Sequence, residues 1–511
     1  MSPNRSGPSR RFEHMSATRH ARVREIESDM KTSDEPSIAV TGLAAMGSAL
    51  ARNIASTGRP VVVHNRTTER ARELVDRYGS ENLVMVEELD ELVQRLEPPR
   101  AVICMVKSGR PVDDVIDSLL DLLEPGDLIV DGGNSDFRDT ERRAARVHDR
   151  GIGYLGMGVS GGEEGALRGP SLMPGGHRWA FDLLEPALVA IAARADGEPC
   201  CAYLGEGGAG HYVKMVHNGI EYADMAAIAE CVELLRRRCD TLDEVAEIVD
   251  SWAEGELDSF LLEITARILR VPDDLADDGV PLLERVSDRA EQKGTGRLTA
   301  QEALELGEPA TTIAEASMHR TLSSLTDRRS AARAATPASL TRAGSSTGVA
   351  DPDAVASALL GTRLVALAQG FDLLDAARHE HGWQLDLGDV ARVWRAGCII
   401  RSALLVDVAA AISGGSPHLL ENRRIAERLA AADTGWRETL CAAIGTGVPV
   451  PVTSAALAWL DAFRTERLPM ALIQAQRDLF GAHTYERTDR DGTFHSSWTP
   501  RPNRSGPQTE S

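Results

Sequence analysis

The chain has 511 residues, 42% of them hydrophobic, and a formal net charge of −21. This length and apolar content allow more than one buried core, whereas the negative charge argues against general binding to nucleic acid or anionic membranes, because it repels phosphate. No apolar run reaches the roughly 20 residues that span a bilayer, and the seven cysteines lack metal-ligand spacing, so we expect a cytoplasmic protein with reduced thiols and no metal site.

Residues 1–36 are polar and mixed in charge. They lack the apolar segment of a secretory signal, so we predict a disordered extension there. The first apolar run, SIAVT at residues 37–41, predicts a β-strand.

A glycine turn follows this predicted strand and precedes a helical pattern, SALARNIAS. In dinucleotide-binding folds such a turn lets the backbone approach a pyrophosphate at the helix N-terminus. Ala44 stands where the middle glycine of that motif would be, so the turn alone does not decide the function. The candidate cofactor-binding residues here are Gly42, Leu43, Ala44, Ala45, Met46 and Gly47.

The end of the second predicted strand, in VVVHNRT, indicates which dinucleotide binds. An NAD-binding chain would place an acidic residue there, on the ribose 2'-hydroxyl, whereas this chain has Asn65, Arg66 and Thr67. An arginine with two hydrogen-bonding side chains suits a 2'-phosphate. We therefore predict NADP rather than NAD as the cofactor.

Two further apolar runs, residues 101–106 and 128–135, alternate with helical segments. This alternation predicts a doubly wound parallel sheet, in which ligands bind beyond the carboxyl ends of the strands. The candidate crevice residues at those ends are Val106, Lys107, Ser108 and Asn134. The fold class that follows is an α/β Rossmann-type dinucleotide-binding domain over residues 37–208.

Residues 156–176 are rich in glycine and proline, and we predict a tightly turning loop there rather than a helix or a strand. In such a loop Ser160, Gly161 and Gly162 could present successive backbone N–H groups to an anion such as a carboxylate. A purely structural loop is the alternative.

One helical face in the segment VKMVHNGIEYADM, residues 213–225, carries five different polar groups. The residues at i, i+3, i+4, i+7 and i+8 are Lys214, His217, Asn218, Glu221 and Tyr222. A solvated face is the alternative, but such faces are typically repeats of Lys, Glu, Arg and Gln. The variety of groups favours the wall of an active site.

The chain loses its strand patterns from about residue 209 onward. We predict a large all-helical domain over residues 209–466, interrupted by a small, polar loop at residues 327–355. The C-terminal tail, residues 467–511, is too poor in apolar residues to form a core of its own.

Motifs along the whole chain resemble, in their sequence and order, those of one enzyme family. They are GLAAMG, NRT, DGGNS, GVSGGEEGA, GPSLMPGG, GHYVKMVHNGIEY, QKGTG, WRAGCIIRS and QAQRDLFGAHTYER. The chain is similar to the decarboxylating 6-phosphogluconate dehydrogenases. This resemblance implies a homodimeric enzyme that oxidises 6-phospho-D-gluconate at C3 with NADP and releases carbon dioxide to yield D-ribulose 5-phosphate, without a metal ion.

The resemblance also implies roles for individual residues. Lys214 matches the general base that takes the proton of the C3 hydroxyl group and later returns it. Glu221 matches the acid that protonates C1 of the enediol after decarboxylation. Residues that match substrate contacts are Asn134, Ser160, Gly161, Gly162, His217, Asn218, Tyr222, Lys293 and Arg320, together with Arg477 and His483 of the tail, which would reach the neighbouring subunit.

The chain departs from the family pattern around QKGTG. Glu291 stands where a glycine is usual, and Leu298 stands where a tryptophan is usual. Two alternatives therefore stay open: a related β-hydroxyacid dehydrogenase with another substrate, or a catalytically weak NADP-binding relative. The candidate phosphate-binding cations favour a phosphorylated substrate, and the retained general base and acid argue against the second alternative.

Overall fold

The structure, a computed structural model, describes residues 35–276, 278–292, 294–337, 351–415 and 418–498. The predicted N-terminal extension lies outside these residues except for its last two positions, and Lys293 also lies outside them. The chain divides into two compact units between Leu457 and Ala458.

A seven-stranded sheet lies in the first unit. Its strands are β1 (Ser37–Thr41), β2 (Val61–His64), β3 (Leu83–Met85), β4 (Arg100–Cys104), β5 (Leu128–Asp131), β6 (Gly153–Ser160) and β7 (Ser171–Gly176). They follow the order β3-β2-β1-β4-β5-β6-β7 and are parallel, except that β7 runs antiparallel to β6 at the edge. The order reverses beside β1, so β1 and β4 bound the crevice in which such a sheet binds its ligand.

Both faces of this sheet are covered by helices. Ile38 and Val40 of β1 pack into one apolar cluster and Ala39 into another, because successive strand residues point to opposite faces. The helices in this part of the chain are α1 (Ala45–Ser56), α2 (Thr68–Tyr78), α3 (Leu89–Gln94), α4 (Arg110–Leu120), α5 (Phe137–His148), α6 (Gly162–Arg168) and α7 (Arg178–Ile191), followed by a short hairpin of β8 (Arg194–Ala195) and β9 (Glu198–Pro199). The predicted doubly wound α/β fold is confirmed, with one antiparallel edge strand.

The prediction of a loop over residues 156–176 is wrong. Strand β6, helix α6 and strand β7 occupy almost all of this segment. Its glycines allow close packing. A Cβ at Gly156 would lie 2.8 Å from Nδ1 of His211, and a Cβ at Gly158 would lie 2.4 Å from the Cβ of Lys214. The glycine content therefore reflects contact between the sheet and a helix that follows much later in the chain.

The first unit is helical from residue 209 onward, as predicted. The helices are α8 (Ala209–Arg236), α9 (Leu242–Ala253), α10 (Phe260–Leu269), α11 (Thr295–Leu306), α12 (Thr311–Ser323), α13 (Thr326–Ala335), α14 (Pro352–His381), α15 (Leu387–Val393), α16 (Leu404–Ser413), α17 (Arg423–Thr446) and α18 (Pro451–Arg464), with 3-10 turns at Leu282–Arg285 and Leu419–Glu421. Helix α14 packs along α8 and α17. It has the length and hydropathy of a membrane span, but 89% of that window is buried, as in the core helix of a globular fold.

The predicted loop at residues 327–355 is wrong in its first part. The alanine-rich sequence SAARAA belongs to α13, since alanine and arginine are strong helix formers. Helix α14 begins at Pro352, and residues 338–350 lie outside the described part of the chain.

The second unit contains the end of α18, helix α19 (Met470–Gly481) and a two-stranded hairpin of β10 (Tyr485–Glu486) and β11 (Thr493–Phe494). This regular structure was not predicted from the composition of the tail. A buried carboxylate, Asp478, is exposed by 0% and receives hydrogen bonds from the segment that follows α19.

Candidate active site

The stripe of polar side chains on α8 is buried. Lys214, His217, Asn218 and Tyr222 are each exposed by 8% or less, and the Glu221 side chain is exposed by 21%. This burial excludes a solvated helix face, since lysine and glutamate are almost never so enclosed without a partner or a function. The stripe forms an inward-facing wall.

His217 connects the members of this wall. Its Nδ1 atom lies 3.4 Å from Lys214 Nζ and 3.1 Å from Asn218 Oδ1, and its Nε2 atom lies 3.2 Å from Ser160 Oγ at the end of β6. A carboxylate oxygen of Glu221 is 3.8 Å from the same Nδ1 atom. Helical spacing brings four of these groups together, whereas the serine comes from a distant part of the chain.

Burial shifts the protonation equilibria of the three ionisable groups in the wall. Desolvation lowers the pKa of Lys214, although the nearby Glu221 opposes this shift. Desolvation raises the pKa of Glu221 against the attraction of Lys214 and Arg320. Desolvation, and then Lys214, lowers the pKa of His217 well below its usual value. Each shift moves its group toward the neutral form, so the lysine, the imidazole and the carboxyl group exchange protons more readily than in water, which suits proton transfer.

A cleft lies beside Lys214, bordered by α8, by α11 and by the turn that links β5 to α5. Its lining residues are Asn134, Ser135, Asp136, His211, Lys214, Met215, Thr295 and Leu298. The structure thus brings Asn134 and Lys214 to one cleft. Sequence reasoning missed His211 and Thr295, although His211 precedes Lys214 by three residues and its spacing on the helix could have marked it.

A buried ion pair holds the turn that carries Asn134. Asp131 accepts hydrogen bonds from the backbone N–H of Gly133 at 3.1 Å and from Ser135 Oγ at 2.6 Å. Arg143 of α5 donates to Asp131 Oδ2 at 3.3 Å and to Ser135 Oγ at 3.1 Å. Asp131 and Arg143 are each exposed by 1% or less, and loss of Arg143 would leave the Asp131 carboxylate buried without a cationic partner. The pair therefore fixes the conformation of the turn.

The glycine turn between β1 and α1 has the geometry of an anion cradle. Gly42 has a φ of +94°, and a Cβ there would lie 2.6 Å from Met105 O. A Cβ at Gly47 would lie 1.9 Å from Gly42 O. No side chain in the described part of the chain caps the start of α1 at Ala45, so its first backbone N–H groups are open to an anion. The pyrophosphate of a dinucleotide fits this turn.

Asn65 connects the glycine turn to the loop after β2. Its Oδ1 atom accepts a hydrogen bond from Leu43 N at 2.9 Å, and its Nδ2 atom donates to Thr67 O at 2.9 Å. The Asn65 amide is thus engaged within the protein, whereas Arg66 and Thr67 are exposed. Lys107 and Ser108, just beyond β4, are exposed as well.

Arg320 of α12 and Tyr222 of α8 form a second group of predicted site residues. The guanidinium carbon of Arg320 lies 3.6 Å from the centroid of the Tyr222 ring, and its Nη1 atom donates to the backbone O of Glu291 at 3.4 Å. Gly296 leaves room for the ring, since a Cβ there would lie 2.5 Å from Tyr222 Cδ2. Glu291 itself is exposed, so its carboxylate remains in contact with solvent.

Arg477 and His483 lie in the second unit, near the end of α19 and in the turn after it. Arg477 Nη1 donates to Gln474 Oε1 at 3.0 Å. The ring centroids of His483 and Phe480 are 6.0 Å apart in an edge-on arrangement. Both predicted site residues are exposed, so both are open to contact with a ligand or a partner.

A doubly wound sheet with a glycine turn, and a buried lysine and carboxyl group on an adjacent helix, define an oxidoreductase that uses a nicotinamide dinucleotide. The model of the NAD binding domain of 6-phosphogluconate dehydrogenase matches residues 37–205, and that of the 6-phosphogluconate dehydrogenase C-terminal domain matches residues 210–498. The chain belongs to the 6-phosphogluconate dehydrogenase family.

Individual relatives support this membership. The chain is 46% identical over 465 residues to the decarboxylating 6-phosphogluconate dehydrogenase of Bacillus licheniformis, covering 90% of this chain and 99% of the relative. It is 45% identical to the NAD(+)-dependent decarboxylating 6-phosphogluconate dehydrogenase of Bacillus subtilis (strain 168), a match that covers 91% of this chain and 99% of the relative. It is 44% identical to the NADP(+)-dependent decarboxylating 6-phosphogluconate dehydrogenase of the same strain, a match that covers 90% of this chain and 98% of the relative.

Among solved structures, the 6-phosphogluconate dehydrogenase of Plasmodium falciparum, studied in its apo form and in complexes with NADP+ and 6-phosphogluconate, has a TM-score of 0.84 at 37% identity. The match covers 90% of this chain and 100% of that one. The predicted family and enzyme class are confirmed.

Proposed function

We propose that this protein catalyses the oxidative decarboxylation of 6-phospho-D-gluconate to D-ribulose 5-phosphate and carbon dioxide, with reduction of NADP. The observation that carries the proposal is the pairing of Lys214 and Glu221 on one buried helix face, with both pKa values shifted toward the neutral forms. Membership of a family whose relatives are named for this reaction supports the substrate.

In this mechanism the neutral Lys214 accepts the proton of the C3 hydroxyl group. Bound NADP supplies the acceptor for the hydride that leaves C3. The resulting ketone lies β to the carboxylate, so the bond to the carboxylate carbon breaks and its electron pair forms an enolate. Lys214 returns its proton to the enolate oxygen, which gives an enediol. Glu221 then gives a proton to C1 while Lys214 takes the proton of that same hydroxyl group, which leaves the ketone of the product. The burial of both groups favours the protonation states that these steps need.

The remaining polar groups would hold the substrate. Asn134, His217 and Asn218 would bind its hydroxyl groups, and Ser160, Gly161 and Gly162 would bind its carboxylate end. Tyr222, Arg320 and Lys293 would bind the phosphate, for which an arginine fork and a lysine charge are suited. The 3.2 Å contact between Ser160 and His217 supports a common location for the first two groups.

The choice of NADP rests on the loop after β2, because curated relatives include both NAD(+)- and NADP(+)-dependent enzymes. Arg66 and Thr67 are exposed there, and neither is acidic. A 2'-phosphate would gain a charged hydrogen bond from Arg66. The other cofactor-binding residues that we propose are Gly42, Leu43, Ala44, Ala45, Met46, Gly47, Asn65, Val106, Lys107, Ser108 and Asn134.

We also propose that the protein is a cytoplasmic homodimer in which Arg477 and His483 complete the site of the neighbouring subunit. Helix α19 leaves large apolar side chains exposed, which is typical of a surface that a partner covers. These side chains are Met470, Leu472, Ile473, Leu479 and Phe480. The corresponding division of the chain is a cofactor domain over 37–208, a helical domain over 209–466 and a tail over 467–511, with neither nucleic acid nor membrane as a partner.

The test is a spectrophotometric assay of reduced nicotinamide with 6-phosphogluconate and either NADP or NAD, combined with measurement of carbon dioxide. NADPH and carbon dioxide should form in equal amounts, and Lys214→Ala should form neither while still binding NADP. NADP binding without turnover of 6-phosphogluconate by the unmodified protein would contradict the proposal.

A further inference from the structure

The second unit is organised around one carboxylate. Asp478 of α19 is exposed by 0%. Its Oδ1 atom is 2.9 Å from both Thr484 N and His495 Nδ1. Its Oδ2 atom is 3.1 Å from Ser496 N and 2.7 Å from Trp498 Nε1. All four partners come after the helix, so a single helical side chain anchors the segment that returns along it.

The backbone around this carboxylate is strained. Ala482, Thr484 and Trp498 have φ values of +51°, +62° and +41°. In the described part of the chain, Asp196 is the one other residue besides glycine with a positive φ. Such conformations are unfavourable for residues with a Cβ, and they persist where surrounding contacts hold them. Asp478 supplies these contacts, because its side chain binds Thr484 and Trp498 and its backbone O accepts from Ala482 N at 2.9 Å.

Arg477 and His483 depend on the same arrangement. His483 lies between Ala482 and Thr484, so two left-handed residues set the direction in which its side chain leaves the backbone. Gln474 accepts from Arg477 Nη1 at 3.0 Å and donates to Thr484 O at 2.6 Å. The guanidinium group is therefore linked through Gln474 to the backbone of Thr484, the residue that follows His483.

We propose that Asp478 is a positioning residue that holds Arg477 and His483 in the conformation in which they bind the substrate. The inference rests on the proposed function, which assigns substrate contacts to these two side chains. It adds a cause for their placement: four donors need an acceptor with two oxygens and no hydrogen, and a carboxylate provides one.

Asp478→Asn is the sharpest perturbation, because it keeps the size of the side chain and replaces one acceptor oxygen by an NH2 group. That group would face N–H donors, and at least one buried donor would lose its partner. Asp489→Asn is the matched control in the same unit, since Asp489 is exposed and its partner is Arg487 at 2.7 Å.

Hydrogen exchange followed by mass spectrometry on the full-length protein tests whether Asp478 organises the segment after α19. Peptides from residues 482–498 should exchange roughly tenfold faster in Asp478→Asn than in the unmodified protein, because the anchoring of Thr484 and Ser496 is lost. Asp489→Asn should leave the exchange of these peptides unchanged. Equal exchange in the Asp478→Asn and unmodified proteins would overturn the organising role of the carboxylate.

Steady-state kinetics test whether Asp478 positions Arg477 and His483 for binding of the substrate. Asp478→Asn should raise the KM for 6-phosphogluconate about tenfold, with a smaller change in kcat and an unchanged Kd for NADP. The effects of Arg477→Ala and Asp478→Asn should not add in the double variant, because both remove the same interaction. Additive effects would overturn the positioning role.

The single variants Arg477→Ala and His483→Ala distinguish failure of the positioning role from failure of the proposed substrate contact. If it raises the KM for 6-phosphogluconate while Asp478→Asn leaves it unchanged, the positioning role is wrong and the substrate contact stands. If Arg477→Ala and His483→Ala both leave KM and kcat unchanged, the tail has no substrate contact and the proposed function is wrong on this point.

Discussion

Gly158 of β6 and Lys214 of α8 are in direct contact: a Cβ at Gly158 would lie 2.4 Å from the Lys214 Cβ and 2.8 Å from its Cγ. The absence of a side chain at residue 158 therefore determines how closely α8 approaches the sheet. It also determines where the lysine amine lies relative to Ser160, two residues further along the same strand.

Gly158→Ala should reduce kcat by about 100-fold, because a displacement of a catalytic group by about an ångström has an effect of this size. Gly255→Ala is the control, since a Cβ there has its nearest neighbour, Trp252 O, at 3.8 Å. Assays of both variants, with thermal unfolding to verify folding, check this prediction. Full activity in Gly158→Ala would show that the packing of β6 against α8 does not set the position of Lys214.

Glu221→Gln should move the acidic limb of the pH profile for hydride transfer to lower pH. Where Glu221 is ionised, its carboxylate raises the pKa of Lys214, so replacement by a neutral amide lowers that pKa further. The lysine then becomes neutral, and able to act as a base, at a lower pH. Where the Glu221 carboxyl group is protonated, the amide leaves the pKa of Lys214 unchanged. Single-turnover formation of NADPH across a pH series measures this limb separately from the later protonation at C1.

Glu233→Gln provides the comparison, because Glu233 lies on the same helix but pairs with Arg236 and Arg237 at the surface. Its pH profile should match that of the unmodified protein. An unchanged acidic limb in Glu221→Gln would contradict an ionised Glu221 beside the base at the pH of this limb, and loss of the limb in Lys214→Ala tests Lys214 itself.

Arg66→Ala should lower kcat/KM for NADP by about 10- to 100-fold, the usual contribution of a hydrogen bond to a charged group, and leave kcat/KM for NAD nearly unchanged. Arg70→Ala, at another exposed arginine on α2, is the control. Asn65→Ala should impair both cofactors, because Asn65 binds Leu43 of the glycine turn. Equal losses with NAD and NADP in Arg66→Ala would contradict recognition of a 2'-phosphate.

Arg143→Met should lower the free energy of unfolding by about 3–5 kcal/mol, because it leaves Asp131 buried without its cationic partner. Arg142→Met is the matched control: its side chain is exposed by 53% and binds the same Asp113, so a loss of about 0–1 kcal/mol is expected. Chemical denaturation measures both values. Similar losses in the two variants would show that the buried pair has no special part in holding the turn.

Local sequence signals predicted much of the fold. The strand at residues 37–41 was predicted at the limits that the structure shows, and the helical part begins at residue 209 as expected. The stripe on α8 was recognised because helical spacing alone brings its five members to one face. Each of these predictions depends on residues that are neighbours in the chain.

The wrong and missed predictions concern residues that are distant from one another in the chain. Residues 156–176 looked like a loop because glycine and proline disfavour helices and strands locally, yet the contact of β6 with α8 requires those glycines. His211 and Thr295 were missed as lining of the cleft, and so was the pair of Asp131 and Arg143 behind Asn134. These contacts join segments that are far apart in the chain, and no local sequence pattern indicates that such segments lie close together.

The sequence by itself determined that an α/β part precedes a helical part. It also determined the glycine turn, the absence of an acid after β2 and the identity of the groups on α8, since each follows from short-range geometry or residue chemistry. The tertiary structure decided which of those groups are removed from water. Desolvation depends on everything packed around a side chain, so the shifted pKa values of Lys214 and Glu221, and with them the capacity for proton transfer, follow from the folded structure and not from the helix alone.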